Sequence, residues 1–211
     1  NHQVSDDQCH TVKTINCGTN LIFNIWYNQT DSKWTYNVTY TSGTGTNPAK
    51  ASTYGNTDSA LGGVSSNTSI ALAYLGNNKV CIFYNGETAG KVHALIAEIN
   101  PSTRAVTFGS AVEVSGGNCR NCAVSYDTDN SRILFCWNNG STNGRGYYKS
   151  ASFSGTTISI IGSASEFPRI GSNYGVEQIR SVYDTNADRH VIAFNYQDNS
   201  NDGYAFSVQT T

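Results

Sequence analysis

Ala123–Phe167 reads AVSYDTDNSRILFCWNNGSTNGRGYYKSASFSGTTISIIGSASEF. Four apolar or alternating runs, Ala123–Tyr126, Arg132–Trp137, Gly146–Phe153 and Thr157–Phe167, stand between three turn clusters, Asp127–Ser131, Asn138–Arg145 and Ser154–Thr156. Short runs rich in Val, Ile, Tyr, Phe and Trp and bounded by Asn, Asp, Gly and Ser read as strands. Joined by short turns, they predict a four-stranded antiparallel meander.

The meander recurs along the chain. Its second run, Arg132–Trp137, has counterparts in Lys79–Tyr84, Arg189–Phe194 and, more faintly, Leu21–Trp26. Their terminal aromatics, Trp26, Tyr84, Trp137 and Phe194, are 58, 53 and 57 residues apart. The preceding runs end in Tyr74, Tyr126 and Tyr183, and the turn Asp127–Arg132 matches Asp184–Arg189. Phe108–Val114 matches Ile161–Phe167. A period of about 55 residues marks a tandem architecture. The expectation is an all-β fold, a β-propeller with four blades of four antiparallel strands each. The blades are predicted at about 9–66, 67–118, 119–175 and 176–211 within a single domain, 1–211. The fourth repeat holds only three runs, Gln178–Tyr183, Arg189–Phe194 and Gly203–Gln209. Residues 1–8 are therefore assigned to the fourth blade, with Gln3–Asp7 as its outer strand, so that pairing of the terminal strands closes the ring and hides an open edge. The alternative is a two-sheet sandwich or an open array.

Composition narrows the function. The chain has 211 residues, a net charge of −2 and only 13% charged residues, against roughly 25% in an ordinary soluble domain. With no cluster of Lys and Arg, nucleic acid is not an expected partner. No apolar run is long enough for a membrane span. Thirteen Tyr, eight Phe and three Trp supply ample core. The absence of Met, the six Cys and four acceptor patterns for N-glycosylation, at Asn28, Asn37, Asn67 and Asn139, predict a processed, secreted, extracellular glycoprotein.

Strand direction sorts the loops onto two rims. Turns between second and third strands share the first rim with the links between repeats. These loops are polar, neutral or acidic, and each is flanked by aromatics: Trp26 and Trp34 around Asp31, Tyr84, Trp137 with Tyr147 and Tyr148 around Asn138, and Tyr196 with Tyr204 around Asp198. A sugar presents an apolar face and a ring of hydroxyls, and a site for it combines an apolar wall with a few placed polar groups. These residues are the candidate ligand-binding set, and glycans or glycoproteins the expected partners. The other reading of the same letters is core aromatics and ordinary turn residues.

Asp127–Ser131 and Asp184–Asp188 carry oxygen ligands at alternate positions, like the start of a calcium loop. They lack the Gly and Glu that complete one, and turns closed by the Asp side chain explain them better. No metal or cofactor is expected. Cys119 and Cys122 have CxxC spacing between antiparallel repeats, and a disulfide between them, followed by Cys9–Cys17, is the expected pairing. Cys81 and Cys136 lie at equivalent positions of second strands, whose packed neighbours meet through opposite faces, so they read as separate buried thiols. His93 and His190 read as satisfied strand residues. There is no GxSxG motif, and the acids Asp31, Glu87, Glu177, Asp198 and Asp202 show no spacing that singles out a hydrolytic pair, so an enzyme is not expected.

Tyr126-Asp-Thr-Asp-Asn-Ser-Arg-Ile-Leu-Phe135 and Phe153-Ser-Gly-Thr-Thr-Ile-Ser-Ile-Ile-Gly-Ser-Ala164 resemble repeats of phage tail-fibre proteins and of secreted proteins of marine invertebrates. The repeated blades are similar in general plan to propeller lectins of the tachylectin-2 type. The resemblance covers scaffold phrases and implies a secreted recognition or adhesion module. A carbohydrate-binding lectin is the leading expectation. A fibre- or coat-forming adhesive module of identical subunits is the alternative, and a polysaccharide-degrading enzyme the second alternative.

Overall fold

The structure is a computed structural model that describes residues 9–18, 20–40, 55–56, 61, 69–86, 90–168, 175–196 and 202–210. It is all-β, with antiparallel pairing throughout the described strands. The first sheet has the order β1 (Cys9–Asn16), β2 (Leu21–Asn28), β3 (Lys33–Tyr40), β4 (Gly55–Asn56). The second runs β5 (Ile70–Gly76), β6 (Lys79–Asn85), β7 (Val92–Ile99), with β8 (Val106–Phe108) and β9 (Val112–Ser115) both pairing β7. The third is β10 (Cys119–Asp127), β11 (Arg132–Asn139), β12 (Arg145–Ser154) and β13 (Thr157–Glu166). The fourth is β14 (Val176–Asp184), β15 (Arg189–Tyr196) and β16 (Gly203–Val208). The meander expected at 123–167 is thus the third sheet, and its equivalents fall where the repeat places them. The four sheets are separate, and none closes on itself among the described residues. The outer strand expected at Gln3–Asp7 lies outside those residues. No described helix is long and apolar enough to cross a membrane.

Successive sheets pack face to face through three apolar clusters. Phe23, Ile25 and Trp34 meet Val80, Ile82 and Leu95 between the first and second sheets. Phe83 and Ile96 meet Phe135 and Trp137 between the second and third, with the Phe83 and Phe135 rings 4.8 Å apart. Leu134, Cys136 and Phe167 meet Ile192, Phe194 and Tyr196 between the third and fourth. Side chains alternate across a strand. In β11, Ile133, Phe135 and Trp137 therefore go to one neighbour and Leu134 and Cys136 to the other. That is why the second-strand runs are continuously apolar, as sheets covered on both faces require. In β15 the pattern loosens: His190, Ile192, Phe194 and Tyr196 are buried, while Arg189 and Ala193 are exposed.

The first strand of each sheet stands at its end, and β1, β5, β10 and β14 gather around a cavity of about 210 Å³. Three of them carry a bulge at the same place: register shifts between His10 and Lys13, Arg120 and Ala123, and Glu177 and Arg180. The residue inside each bulge has a positive φ, at Thr11 (49°), Asn121 (51°) and Gln178 (50°). A bulge bends its strand and re-aims the side chains beyond it. Past it, Lys13, Ala123 and Arg180 pair with Ile25, Cys136 and Ala193, and Ala71 pairs with Phe83 at the equivalent place of β5.

The disulfide and two of the glycan expectations meet a different structure. Cys17, Cys119 and Cys122, like Cys81 and Cys136, are free buried thiols, so neither Cys119–Cys122 nor Cys9–Cys17 is bridged. The β10 bulge turns Cys119 and Cys122 into the same apolar cluster, where each behaves as a small hydrophobe. Cys81 lies in the second-to-third sheet interface and Cys136 in the third-to-fourth, on opposite sides of the third sheet, as their strand parity demands. Asn37 is buried because its Oδ1 accepts from Asn24 Nδ2 at 2.9 Å, part of a polar ladder in which Thr14 Oγ1 donates to Asn24 Oδ1 at 2.9 Å. Asn28 is buried because its Oδ1 accepts from the N–H groups of Thr30 and Asp31. Neither presents an amide for a glycan in the folded chain. Asn139 is half-buried and closes its turn on Ser141 N at 3.0 Å. Asn67 lies outside the described residues.

Candidate functional site

The aromatics that end the second strands are core. Trp26, Trp34, Tyr84, Trp137 and Tyr196 are all buried, because the sheets on either side cover them. Trp137 stacks on Tyr147 at 6.1 Å and meets Phe83 edge-on at 6.4 Å. Tyr148 packs on Phe167 and Phe206, and Tyr204 on Phe194 and Tyr196. Tyr147, Tyr148 and Tyr204 keep only part of their surface in solvent. Asn138 is buried and donates from Nδ2 to Val176 O at 2.7 Å, tying the third sheet to the fourth. Asp31 is exposed, and its Oδ2 accepts from Asn28 Nδ2 at 3.1 Å within its own turn. Asp198 and Glu87 lie outside the described residues. Trp26, Trp34, Tyr84, Trp137 and Tyr196 are therefore not presented as platforms, whereas Tyr147, Tyr148 and Tyr204 are presented in part.

What the first rim does offer is a groove on the fourth sheet. Glu177, Gln178, Ala193, Phe194, Asn195 and Gly203 line an open space of about 620 Å³. Its floor is the loosened face of β15. Glu177 pairs with Asn195 across β14 and β15, which puts a carboxylate and an amide side by side. The Asn195 Oδ1 is buried with no hydrogen-bond partner among the described residues, an acceptor whose desolvation is uncompensated until something donates to it.

A second polar constellation joins the central cavity to the opposite rim. His190 is fully buried. Its Nδ1 lies 2.7 Å from Ser125 Oγ, its Nε2 lies 3.3 Å from Thr210 Oγ1, and Ser125 Oγ is in turn in close contact with Ser181 Oγ. Thr210 donates to Asp127 Oδ2 at 2.7 Å. With the Thr210 hydrogen spent there, one assignment makes every remaining contact a hydrogen bond. Thr210 must accept from His190 Nε2–H, so Nδ1 accepts from Ser125, and Ser125 accepts from Ser181. Burial drives the His190 pKa down from 6.5 to about 4, against the pull of Asp127 and Asp188, so the ring is neutral. Burial alone would raise Asp127, but hydrogen bonds from the Asn130 backbone, Thr210 and the Asn130 amide hold it at about 2.

Around Asp127 the turns behave as their sequence predicts. Asp127 Oδ1 accepts from the N–H groups of Asp129 and Asn130 at 2.9 and 2.8 Å, and Asp184 Oδ1 does the same for Asn186 and Ala187. The fold then brings oxygens of Asp127, Asp129 and Asp188 within 4.8 Å of one another, the grouping among the described residues with metal-ligand spacing. Tyr183 Oη lies 2.8 Å from Asp129 Oδ2 and 2.7 Å from Asp188 Oδ1, and Asn130 Nδ2 and Gln209 Nε2 also donate to the cluster. These bonds staple the β10–β11 turn to the β14–β15 turn. Sequence reasoning placed both turns and both histidines in strands correctly. It missed the chain of hydroxyls, because Ser125, Ser181 and Thr210 are ordinary letters until two sheets meet.

The cavity end of this chain carries charge. Lys13 and Arg180 line it with Thr14, Ser181 and the apolar residues Ile70, Leu72, Val124 and Ile179, and among the described residues no carboxylate does. Nothing in composition or spacing marks these two, because the bulges that re-aim them exist only once the strands are paired.

No family model and no curated protein matches the chain. Among solved structures it is similar to the glycoside hydrolase, family 43 YxiA protein from Bacillus licheniformis, with 10% identity, a TM-score of 0.50 and alignment over 95% of this chain. The chain spans 56% of that protein's length. The likeness is one of fold.

Proposed function

We propose that the chain is a secreted carbohydrate-binding module built as a β-propeller, with its sugar site in the groove of the fourth sheet. The propeller reading draws on the face-to-face packing of successive sheets and on the gathering of their first strands around one cavity. The expected closure by Gln3–Asp7 is part of it. The observation that carries the function is the groove itself. Glu177 and Asn195 stand paired at its floor, with an unsatisfied amide oxygen between a carboxylate and the half-buried Tyr204 strand. Sugar hydroxyls are donors and acceptors at once and match such a set. Among the described lining residues Glu177 is the one carboxylate, whereas glycoside hydrolysis uses two flanking the scissile bond, which favours binding over cleavage there.

A glycan array with the whole chain tests this. Binding to a defined glycan class is expected, weakened about tenfold or more in Glu177→Gln and Asn195→Leu, as loss of a buried or charged hydrogen bond implies. Unchanged binding in both variants, or no glycan bound, would overturn the site. The adhesive alternative draws on the exposed apolar surface of the fourth sheet, where Val182 is 60% exposed and Ala193 and Ala205 are open. Filament formation at rising concentration without any glycan bound would favour it.

A further inference from the structure

The central cavity is a second place where ligand chemistry converges, independent of the groove on the fourth sheet. At the level just past the bulges, the four first strands contribute Lys13, Ala71, Ala123 and Arg180. Two of these side chains are long and cationic, and two are methyl groups. The methyls leave the space, and the cations point charge at it. Four long side chains there would have filled the cavity.

The electrostatics are one-sided. Lys13 and Arg180 are the charged residues of the lining, and among the described residues neither has a carboxylate partner. Arg180 Nη1 donates to Ile179 O at 2.8 Å, which anchors one edge of the guanidinium and leaves its other N–H groups to a ligand. Ile70, Leu72, Val124 and Ile179 supply apolar walls, while Lys13 and Arg180 themselves stand exposed at the open side of the cavity. A cleft of one sign with low-dielectric walls concentrates its field on a counter-ion.

The hydroxyls refine the ligand. Thr14 and Ser181 line the same cavity, and both have spent their hydrogens, Thr14 on Asn24 Oδ1 and Ser181 on the Ser125–His190–Thr210–Asp127 chain. They offer lone pairs only. A fully deprotonated anion such as sulfate has nothing to donate to them. A ligand that carries both an anionic group for Lys13 and Arg180 and hydroxyl donors for Thr14 and Ser181 uses the whole lining. We propose that the central cavity binds a single sugar acid, with its carboxylate between Lys13 and Arg180 and its hydroxyls on Thr14 and Ser181.

Calorimetric titration of the full chain with glucuronate, at low and constant ionic strength, tests this against acetate and glucose. Saturable glucuronate binding is expected, at least about tenfold tighter than either control, since each control lacks one half of the recognition. Lys13→Gln and Arg180→Gln should each weaken it about tenfold. Arg104→Gln, which removes the same charge from a half-buried position in the turn after β7, should leave it unchanged. Glu177→Gln should also leave it unchanged, which separates this site from the groove. The proposal is overturned if glucuronate does not saturate, if acetate or sulfate binds as tightly, or if the two cavity variants bind like Arg104→Gln. All four substitutions change long polar side chains, and a thermal melt of each variant establishes that it is folded before titration.

Discussion

His190 is the residue at which folding and pH are most tightly linked. The folded chain refuses its proton until about pH 4, whereas an unfolded chain accepts it near 6.5. Between those values the unfolded state binds more protons, so stability falls as pH drops from 6.5 to 4 and this contribution levels off below. The full window is worth on the order of 3 kcal/mol. Asp127 adds a lower window: its folded pKa of about 2 lies below 3.8, so its contribution is lost as pH falls from about 4 to 2. Urea denaturation at pH 7, 5.5 and 4.5 should show wild-type stability declining with pH, and His190→Gln should lose most of that slope while keeping the fall below pH 4. An unchanged slope in the variant would mean that another group carries it. Thr210→Val strips the donor from Asp127 Oδ2 and the acceptor from His190 Nε2. It should cost about 1–3 kcal/mol, as unsatisfied buried polar groups do, and shift the lower acid window upward. At this scale the aromatic letters were ambiguous. Trp26, Trp137 and Tyr84 suited a sugar platform and a core position equally, and only burial separates the two.

At the scale of the element, alternation is the governing rule. Where a strand is continuously apolar, as in Lys79–Tyr84 and Arg132–Trp137, both faces are covered; where apolar and small residues alternate, as in Arg189–Tyr196, one face stays open and the groove forms. The contact between β12 and the end of the third sheet is equally specific. A Cβ on Gly146 would stand 2.3 Å from the Phe167 ring. That ring is held between Phe194 at 5.2 Å and Phe206 at 5.1 Å and cannot yield without opening the third-to-fourth sheet interface. Gly146→Ala should therefore destabilise by about 1–3 kcal/mol, the usual cost of overpacking. Adding Phe167→Leu should recover part of that loss, a coupling that a thermal melt of the two single variants and the double variant would measure. Simple additivity would show that the ring moves aside freely.

At the scale of the whole molecule, the described sheets are joined by face-to-face burial, and the described thiols are free. Five buried thiols lie in the clusters that join the sheets or at their margins. Burial pushes Cys17 and Cys119 up to about 11 and the other three higher still. Reaction needs the thiolate, so a disulfide reagent should react slowly with the native chain at pH 8 and titrate these thiols promptly in guanidinium. A reductant should leave the thermal midpoint unchanged. A midpoint lowered by dithiothreitol would reveal a bridge and restore the pairing that the Cys119–Cys122 spacing suggested. The same burial explains why glycosylation at Asn28 and Asn37, legible as acceptor patterns, conflicts with the fold: a local pattern does not register the Asn24–Asn37 ladder across a sheet.

By itself, the sequence determined the strands, their order in each meander, the antiparallel pairing, the repeat that places four sheets in succession, and the turns closed by Asp127 and Asp184. These depend on local chemistry: the two-residue period of a strand, the turn preferences of Asn, Asp and Gly, and repetition of the same phrases. Only the tertiary structure decided which aromatics are covered, that the CxxC thiols are buried apart from a bridge, that Ser125, Ser181, His190, Thr210 and Asp127 form one directed chain, and that Lys13 and Arg180, 167 residues apart, face one cavity. Those depend on which face of one sheet meets which face of the next. That meeting is made by the summed burial of many apolar side chains, and no short stretch of sequence carries it.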